Sequence, residues 1–304
     1  MSEVPTVGFI GLGIMGMPMS VNLARAGYPV IAYSRSGARS SDLVDAGGQV
    51  VPVLSDALQG ADVVITMLPD SPEVLEVTLG SGGVLESCQP GTVLVDMSTI
   101  APDTSRQVFA QLRTRGIPSL DAPVSGGEVG AIAGTLSIMV GGDAAVLERV
   151  RPILDVLGGT VVHVGGPGSG QVVKAANQLI VAGTIQLVAE ALTLASRHGV
   201  DPAAAAKVMG GGLAASRVLE LKAKPMIEGA YPPGFRCRLH NKDLGIIIAA
   251  ARDVGAAIPM GLLVSQFMAS LVATGRGDLD HSALHSLVVE LSAPPRPSDD
   301  GGDG

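Results

Sequence analysis

Short runs of Val, Ile and Leu, bounded by Gly, Pro or Asp, recur through the first half of the chain at 7–10, 30–33, 63–67, 93–96, 119–122, 136–140 and 161–164. Segments with helical spacing separate them. Strands alternating with helices build βαβ units, and therefore a mostly parallel sheet carrying helices on both faces. The runs are apolar throughout rather than alternating, as strands buried on both sides require. After Gly170 the pattern changes. Residues 171–198 are apolar nearly all round a helical circumference, interrupted by Lys174, Asn177, Gln178, Gln186 and Glu190. Such a helix is expected to be buried on every face, between domains or in a subunit interface. Residues 201–291 read as helices with breaks at Gly210-Gly211-Gly212, Tyr231-Pro232-Pro233-Gly234 and Ile258-Pro259.

The expected architecture is thus α/β: a doubly wound domain at 1–166, then an all-α domain at 167–292 that opens on a long helix at about 170–198. The second domain is expected to serve substrate binding and oligomerisation. A tail at 293–304, rich in Pro, Ser, Asp and Gly and without large apolar residues, is expected to be disordered. No internal repeat is apparent.

Composition narrows the function classes. With 304 residues the chain has ample material for two cores, and its seven aromatic residues leave those cores to Val, Ile, Leu, Ala and Met. A formal net charge of −8 and the lack of a basic segment argue against nucleic acid as a partner. Cys88 and Cys237 are too far apart to suggest a disulfide framework or a zinc knuckle. Glu3 stands where a signal peptide would carry positive charge. The apolar run at 179–195 is broken by Thr184, Gln186 and Glu190 and falls short of the roughly 18 uncharged residues of a membrane span. A cytoplasmic protein without membrane contact is expected.

Directly after the first strand comes Gly11-Leu12-Gly13-Ile14-Met15-Gly16. Gly11 permits a tight turn, Gly13 lets the backbone approach a pyrophosphate, and Gly16 allows a helix to pack closely on the strand. Preceded by a strand, followed by a helix and embedded in βαβ repetition, this spacing marks a Rossmann-type dinucleotide site. The second strand runs into Ser34-Arg35-Ser36, where an NAD enzyme would carry an acid for the ribose 2′-hydroxyl. An Arg between hydroxyls suits a 2′-phosphate instead, so NADP(H) is the preferred cofactor, with NAD(H) possible if Arg35 is a solvated surface charge.

Asp121-Ala122-Pro123-Val124-Ser125-Gly126-Gly127 reads as a strand end opening into a glycine turn, whose N–H groups and Ser125 hydroxyl can form a nest for a small carboxylate; a plain turn is the other reading. Arg outnumbers Lys fifteen to five, and the first lysine of the chain is Lys174. A guanidinium cannot release a proton near neutral pH, whereas a buried ammonium can serve as general acid or base. Asn177 and Gln178 follow on the same helical face, where an amide can orient a substrate hydroxyl. His281 and His285 have the spacing of helical metal ligands but no third partner, and no metal is expected. For His240, two residues before Lys242, substrate contact and packing both stand open.

These segments carry a resemblance. The chain resembles the β-hydroxyacid dehydrogenases from about Val7 to about Leu291, through GFIGLGIMGMPM at 8–19, TMLPDSPEV at 66–74, DMSTIAP at 96–102, DAPVSGGE at 121–128, GTLSIMVGGD at 134–143 and GSGQVVKAANQ at 168–178. GGLAASRVL at 211–219, PGFRCRLHNKDL at 233–244 and DHSAL at 280–284 point to the semialdehyde-reducing branch. The resemblance implies that Met67, Leu68, Pro69 and Thr99 lie at the cofactor, that Ser125, Gly126 and Gly127 bind the substrate carboxylate, and that Lys174 is the catalytic acid. It further implies that Phe235, Lys242 and Asp243 close the site around nicotinamide. The sequence departs from the family pattern twice. Gln178 stands where the family usually has Asn, with Asn177 one place earlier, so either amide is a candidate. Ser34-Arg35 replaces the acid usual in bacterial members of the branch.

The implied reaction is NADPH-dependent reduction of a small carboxylate-bearing semialdehyde, tartronate semialdehyde to D-glycerate, with Lys174 protonating the forming alkoxide. Alternatives are 3-hydroxyisobutyrate dehydrogenation, reduction of glyoxylate or succinic semialdehyde, and a dinucleotide-binding scaffold without turnover. A homodimer or homotetramer is expected.

Overall fold

The computed structural model describes residues 4–35 and 40–292, without the side chain of Ser40. The expected contact of Ser36 and the expected tail at 293–304 lie outside these residues. The chain divides into two compact units, Met1–Asn177 with Ala249–Val254 and Gln178–Ile248 with Gly255–Gly304.

The first unit is built on one sheet of β1 (Val7–Ile10), β2 (Val30–Tyr33), β3 (Gln49–Val51), β4 (Val63–Thr66), β5 (Val93–Asp96), β6 (Ser119–Asp121), β7 (Val124–Ser125), β8 (Leu136–Gly142) and β9 (Gly158–Gly165). The strand order is β3-β2-β1-β4-β5-β6-β8-β7, with β9 beside β8. Strands β1 to β6 pair in parallel, while β8 runs antiparallel to β6 and β7 and parallel to β9. The winding direction reverses between β1 and β4, and in such sheets ligands bind outside the carboxyl ends of the strands at that switch point.

Strand polarity explains the uninterrupted apolar runs. Val7, Phe9, Val63, Ile65, Val93 and Val95 bury themselves on one face with Met19, Leu23 and Leu154. Ile10, Val64 and Leu94 bury themselves on the other with Leu58, Val74 and Leu112. With helices on both faces, neither face can be polar. Strands β3 and β7 were not expected. The first is three residues behind Gly47-Gly48, and the second lies inside the segment that reads as a glycine turn; only pairing with β2 and β8 reveals them. Strands β8 and β9 also run through Gly141-Gly142 and Gly158-Gly159, residues that read as strand breakers.

A helix spanning Ser169–Arg197 supplies residues to both units. Gln171, Lys174, Gln178, Ile185, Ala189 and Leu192 are buried, but Ile180, Leu187 and Leu194 are 69%, 57% and 63% exposed. Burial on every face is therefore not met within one chain. The buried stripe fills a core, and the outward aliphatic residues are left uncovered. By length and composition this helix is long and apolar enough to cross a membrane. Its buried face includes the polar side chains of Gln171, Lys174, Gln178, Gln186 and Thr193.

Beyond that helix, Pro202–Gly210, Arg217–Glu228, Cys237–Asp253 and Pro259–Leu271 are separated at the three expected breaks, and a fourth break at 272–283, which was not expected, precedes Leu284–Leu291. Asp201 and Ser216 cap the first two, accepting from Ala203 N at 3.0 Å and Leu219 N at 3.0 Å.

Candidate active site

The glycine turn joins β1 to the helix Gly16–Arg25 at the switch point. Gly11 has φ +104°, and a methyl group there would strike the Met67 carbonyl oxygen. On Gly16 a methyl group would collide with the Gly11 carbonyl oxygen, so Gly16 serves the turn's own closure as well as helix packing. A methyl on Gly13 would meet nothing within 4 Å. The backbone is therefore tight on its protein side and open on the side where a pyrophosphate would approach. Leu12 is buried under the turn, Met15 is half-buried, and Ile14 is exposed. The turn runs directly into the N-terminus of this helix, the arrangement that suits a phosphate.

Beside the turn lie the loops that follow β4 and β5. Met67 and Leu68 are half-buried and Pro69 exposed. Leu68 N donates to Ser98 Oγ at 2.9 Å, which ties the two loops together. Ser98 N in turn donates to Asp96 Oδ1 at 3.1 Å, as does Thr66 Oγ1 at 2.8 Å. Asp96 Oδ2 has no hydrogen-bond partner. Burial pushes this carboxyl up to about 6, with the neighbouring Asp121 adding to the rise and the hydrogen bonds opposing it. At the end of β2, paired with β1 through Tyr33 and Ile10, Ser34 is half-buried and Arg35 exposed.

The Ser125 turn and the helix of Lys174 meet through Asp121. This residue ends β6, four positions before Ser125, and is buried. Its Oδ1 accepts from Gly168 N at 2.8 Å and its Oδ2 from Gln171 N at 3.0 Å, so the carboxylate closes the start of the helix Ser169–Arg197. Burial raises the Asp121 carboxyl, and these N–H groups hold the rise down. Gly170 permits the approach, since a methyl there would collide with the Met139 carbonyl oxygen. One turn further on is Lys174, 7% exposed. Ser125 is half-buried, and Gly126 and Gly127 take φ +134° and +61°, values that an L side chain resists. Asn177 is half-buried at the end of this unit.

The remaining expected residues lie in the helical unit. Gln178 Nε2 donates to Asp243 Oδ2 at 2.6 Å, and Lys242 Nζ lies 3.1 Å from Asp243 Oδ1 as an ion pair without hydrogen-bond alignment. His240 is wholly buried. Its Nε2 lies 3.3 Å from the Gln178 carbonyl oxygen and its Nδ1 3.0 Å from His281 Nδ1. A carbonyl oxygen only accepts, so His240 Nε2 carries a hydrogen. Phe235 packs on both imidazoles, with ring centroids 5.6 and 5.4 Å away. His285, expected to have no metal role, meets Tyr231 Oη at 3.1 Å through Nδ1.

Sequence reasoning gave no role to Asp96, Ser98, Gln171 or Asp280. Asp280 Oδ2 accepts from Gly234 N at 3.1 Å and Phe235 N at 3.0 Å, and Lys222 Nζ reaches both carboxylate oxygens at 2.9 Å. Burial alone would raise the Asp280 carboxyl, but His281, the Phe235 N–H and Lys222 together hold it well below the usual carboxylate range. A polar residue at the start of an apolar helix marked Gln171, and its position three residues before Lys174 was the available signal.

Two family models divide the chain. The NAD binding domain of 6-phosphogluconate dehydrogenase matches residues 6–165, and the NAD-binding region of NADP-dependent 3-hydroxyisobutyrate dehydrogenase matches 168–288. The chain is 43% identical to the 2-hydroxy-3-oxopropionate reductase of Escherichia coli, over 94% of this chain and 98% of the relative. It is 39% identical to the NAD-dependent L-serine dehydrogenase of Pseudomonas aeruginosa, over 92% and 97%. The solved structure of Mycobacterium tuberculosis 3-hydroxyisobutyrate dehydrogenase with L-serine superimposes with a TM-score of 0.86 at 35% identity, covering 96% of this chain and all of that one. With the glycine turn at the switch point and the lysine helix behind it, the chain belongs to the β-hydroxyacid dehydrogenases of the 3-hydroxyisobutyrate dehydrogenase type, a family of NAD(P)-dependent oxidoreductases.

Proposed function

We propose that this chain reduces tartronate semialdehyde to D-glycerate with NADPH. The observation that carries the reading is the placement of Lys174: the only strongly basic group buried on the helix whose start is held by Asp121, the acid that leads into the Ser125 turn. The 43% identity to a 2-hydroxy-3-oxopropionate reductase supports this substrate. Arg35, exposed at the end of β2, supports the phosphorylated cofactor.

The dinucleotide fits the residues present, because Gly13 leaves open space beside a helix start that offers N–H donors. When bound, it supplies the hydride. The turn at 11–16 holds the pyrophosphate, Ser34 and Arg35 the 2′-phosphate, and Met67, Leu68, Pro69 and Thr99 flank the nicotinamide half. Ser125, Gly126 and Gly127 take the substrate carboxylate through their N–H groups and the Ser125 hydroxyl. Lys174 Nζ donates a proton to the oxygen that becomes the product hydroxyl, which stabilises the developing alkoxide. Asn177 or Gln178, the latter also donating from Nε2 to Asp243 Oδ2, orients the substrate hydroxyl. The exposed Ile180, Leu187 and Leu194 support a homodimer or homotetramer.

A second reading, oxidation of a β-hydroxy acid such as 3-hydroxyisobutyrate or L-serine, is favoured by the M. tuberculosis relative with L-serine and the P. aeruginosa enzyme. Rates of NADPH and NADH oxidation over tartronate, methylmalonate and succinic semialdehydes and glyoxylate, beside reduction of NADP+ and NAD+ by 3-hydroxyisobutyrate and L-serine, decide between them. Highest kcat/KM for tartronate semialdehyde with NADPH supports the proposal. A clear preference for another pair replaces it, and no turnover with any would favour a non-catalytic scaffold.

A further inference from the structure

Gln171 is 1% exposed and sits one helical turn before Lys174. Its side-chain amide uses both ends on the same loop. Oε1 accepts from Ile100 N at 3.1 Å, and Nε2 donates to the Ser98 carbonyl oxygen at 2.8 Å. These two backbone groups flank Thr99, at the carboxyl end of β5, so one side chain holds that residue from both sides. Through Ser98 the grip extends to Leu68, whose N–H donates to Ser98 Oγ. The main-chain N–H of Gln171 is held by Asp121.

We propose that Gln171 is a positioning residue that fixes the Ser98–Thr99–Ile100 loop to the lysine helix, so that cofactor and proton donor are set in register by one amide. This rests on the reading of the site given above and adds a residue to it. Only an amide supplies an acceptor and a donor in this geometry at neutral pH. A carboxylate keeps the acceptor and loses the donor, and a thioether of similar volume loses both. Ser98 and Ile100 are themselves buried, so water cannot replace the missing partner, and the loop must move to satisfy its backbone groups. Lys174 lies about 4.5 Å further along the same rigid helix, so a loop that slips against Gln171 slips against Lys174 also.

The test is a double-mutant cycle on the full chain, read as NADPH affinity from the fluorescence of the bound cofactor, with Thr99→Ala and Gln171→Met. If Gln171 acts by holding Thr99, the single change Thr99→Ala weakens binding by about 2- to 10-fold, the scale of one hydrogen bond. In the Gln171→Met background the same change costs less than about twofold. Gln171→Met should also lower kcat at saturating NADPH, a loss that weakened cofactor binding alone does not produce. Gln171→Glu, which keeps the bond from Ile100, serves if the methionine variant does not fold, and its cycle with Thr99→Ala should be non-additive in the same sense. Additive losses, or no effect of Thr99→Ala in the wild-type background, would overturn this inference alone. A wild-type chain that binds neither NADPH nor NADH would overturn the reading of the site as well.

Discussion

Asp121 accepts the main-chain N–H of Gln171 at 3.0 Å, joining the strand that leads to Ser125 with the helix that carries Lys174. The contact needs a small residue at 170 and an acid at the end of β6, and the sequence has both. In the proposed reaction, carboxylate recognition and proton donation would thereby rest on two elements that cannot drift apart without leaving buried N–H groups unpaired.

The glycine turn separates binding from stability. Gly13→Ala places a methyl group in open space, so the melting temperature should stay within about 2 °C of wild type, while NADPH affinity falls at least about tenfold because the methyl takes the phosphate's place. Gly16→Ala drives a methyl into the Gly11 carbonyl and should destabilise by about 1–3 kcal/mol, the scale of overpacking. Thermal melts paired with cofactor titrations distinguish the two; equal stability losses would contradict the geometry.

Arg35 is expected to select the cofactor. Its replacement by Ala removes a charge-assisted bond worth about 1.5–3 kcal/mol, so kcat/KM for NADPH should fall by about 10- to 100-fold with that for NADH little changed. An equal loss with both cofactors would assign Arg35 to another task.

Asp96 should leave a signature in the pH dependence of stability. Its folded-state value, about 6, lies above the ordinary carboxylate value, so the folded chain holds this proton more tightly than the unfolded one. Stability from this group is fully present below about pH 4 and declines as pH rises to about 6, by on the order of 3 kcal/mol for two pH units. Asp96→Asn should lack that decline when its denaturation profile is subtracted from that of wild type. Parallel profiles between pH 4 and 7 would contradict the assignment.

In the helical unit, Asp280→Asn should loosen the Phe235 segment and strand Lys222 without a counter-charge, costing about 3–5 kcal/mol. Because the Asp280 carboxyl is held below its ordinary range, its contribution is present above about pH 4 and is lost as pH falls further. Chemical denaturation at pH 7 and at pH 3 should therefore show a smaller gap between wild type and variant at the lower pH.

The doubly wound sheet was legible because β1, β4 and β5 are buried on both faces and so read as unbroken apolar runs. The glycine turn was legible because each glycine answers a separate steric demand. β7 was not, since two residues carry no period, and the extensions of β8 and β9 were hidden behind paired glycines. Lys174 could be singled out from composition alone, but Gln171 could not. Its significance lies in two backbone groups some seventy residues earlier in the chain, and a polar residue three places before Lys174 is the only local trace of that contact. Asp280 was hidden for the same reason, its partners Gly234, Phe235 and Lys222 all being distant in sequence. The outward faces of Ile180, Leu187 and Leu194 were masked by a helix apolar all round, which cannot say which side its own chain covers.

Proton donation by Lys174 is the step on which the proposed reduction turns. It is tested most directly by the rate of NADPH oxidation by tartronate semialdehyde at saturating concentrations in wild type and Lys174→Ala, with NADPH affinity measured alongside. A fall in kcat of about 10² to 10⁴ with unchanged NADPH affinity is the predicted result; turnover within about threefold of wild type would contradict it.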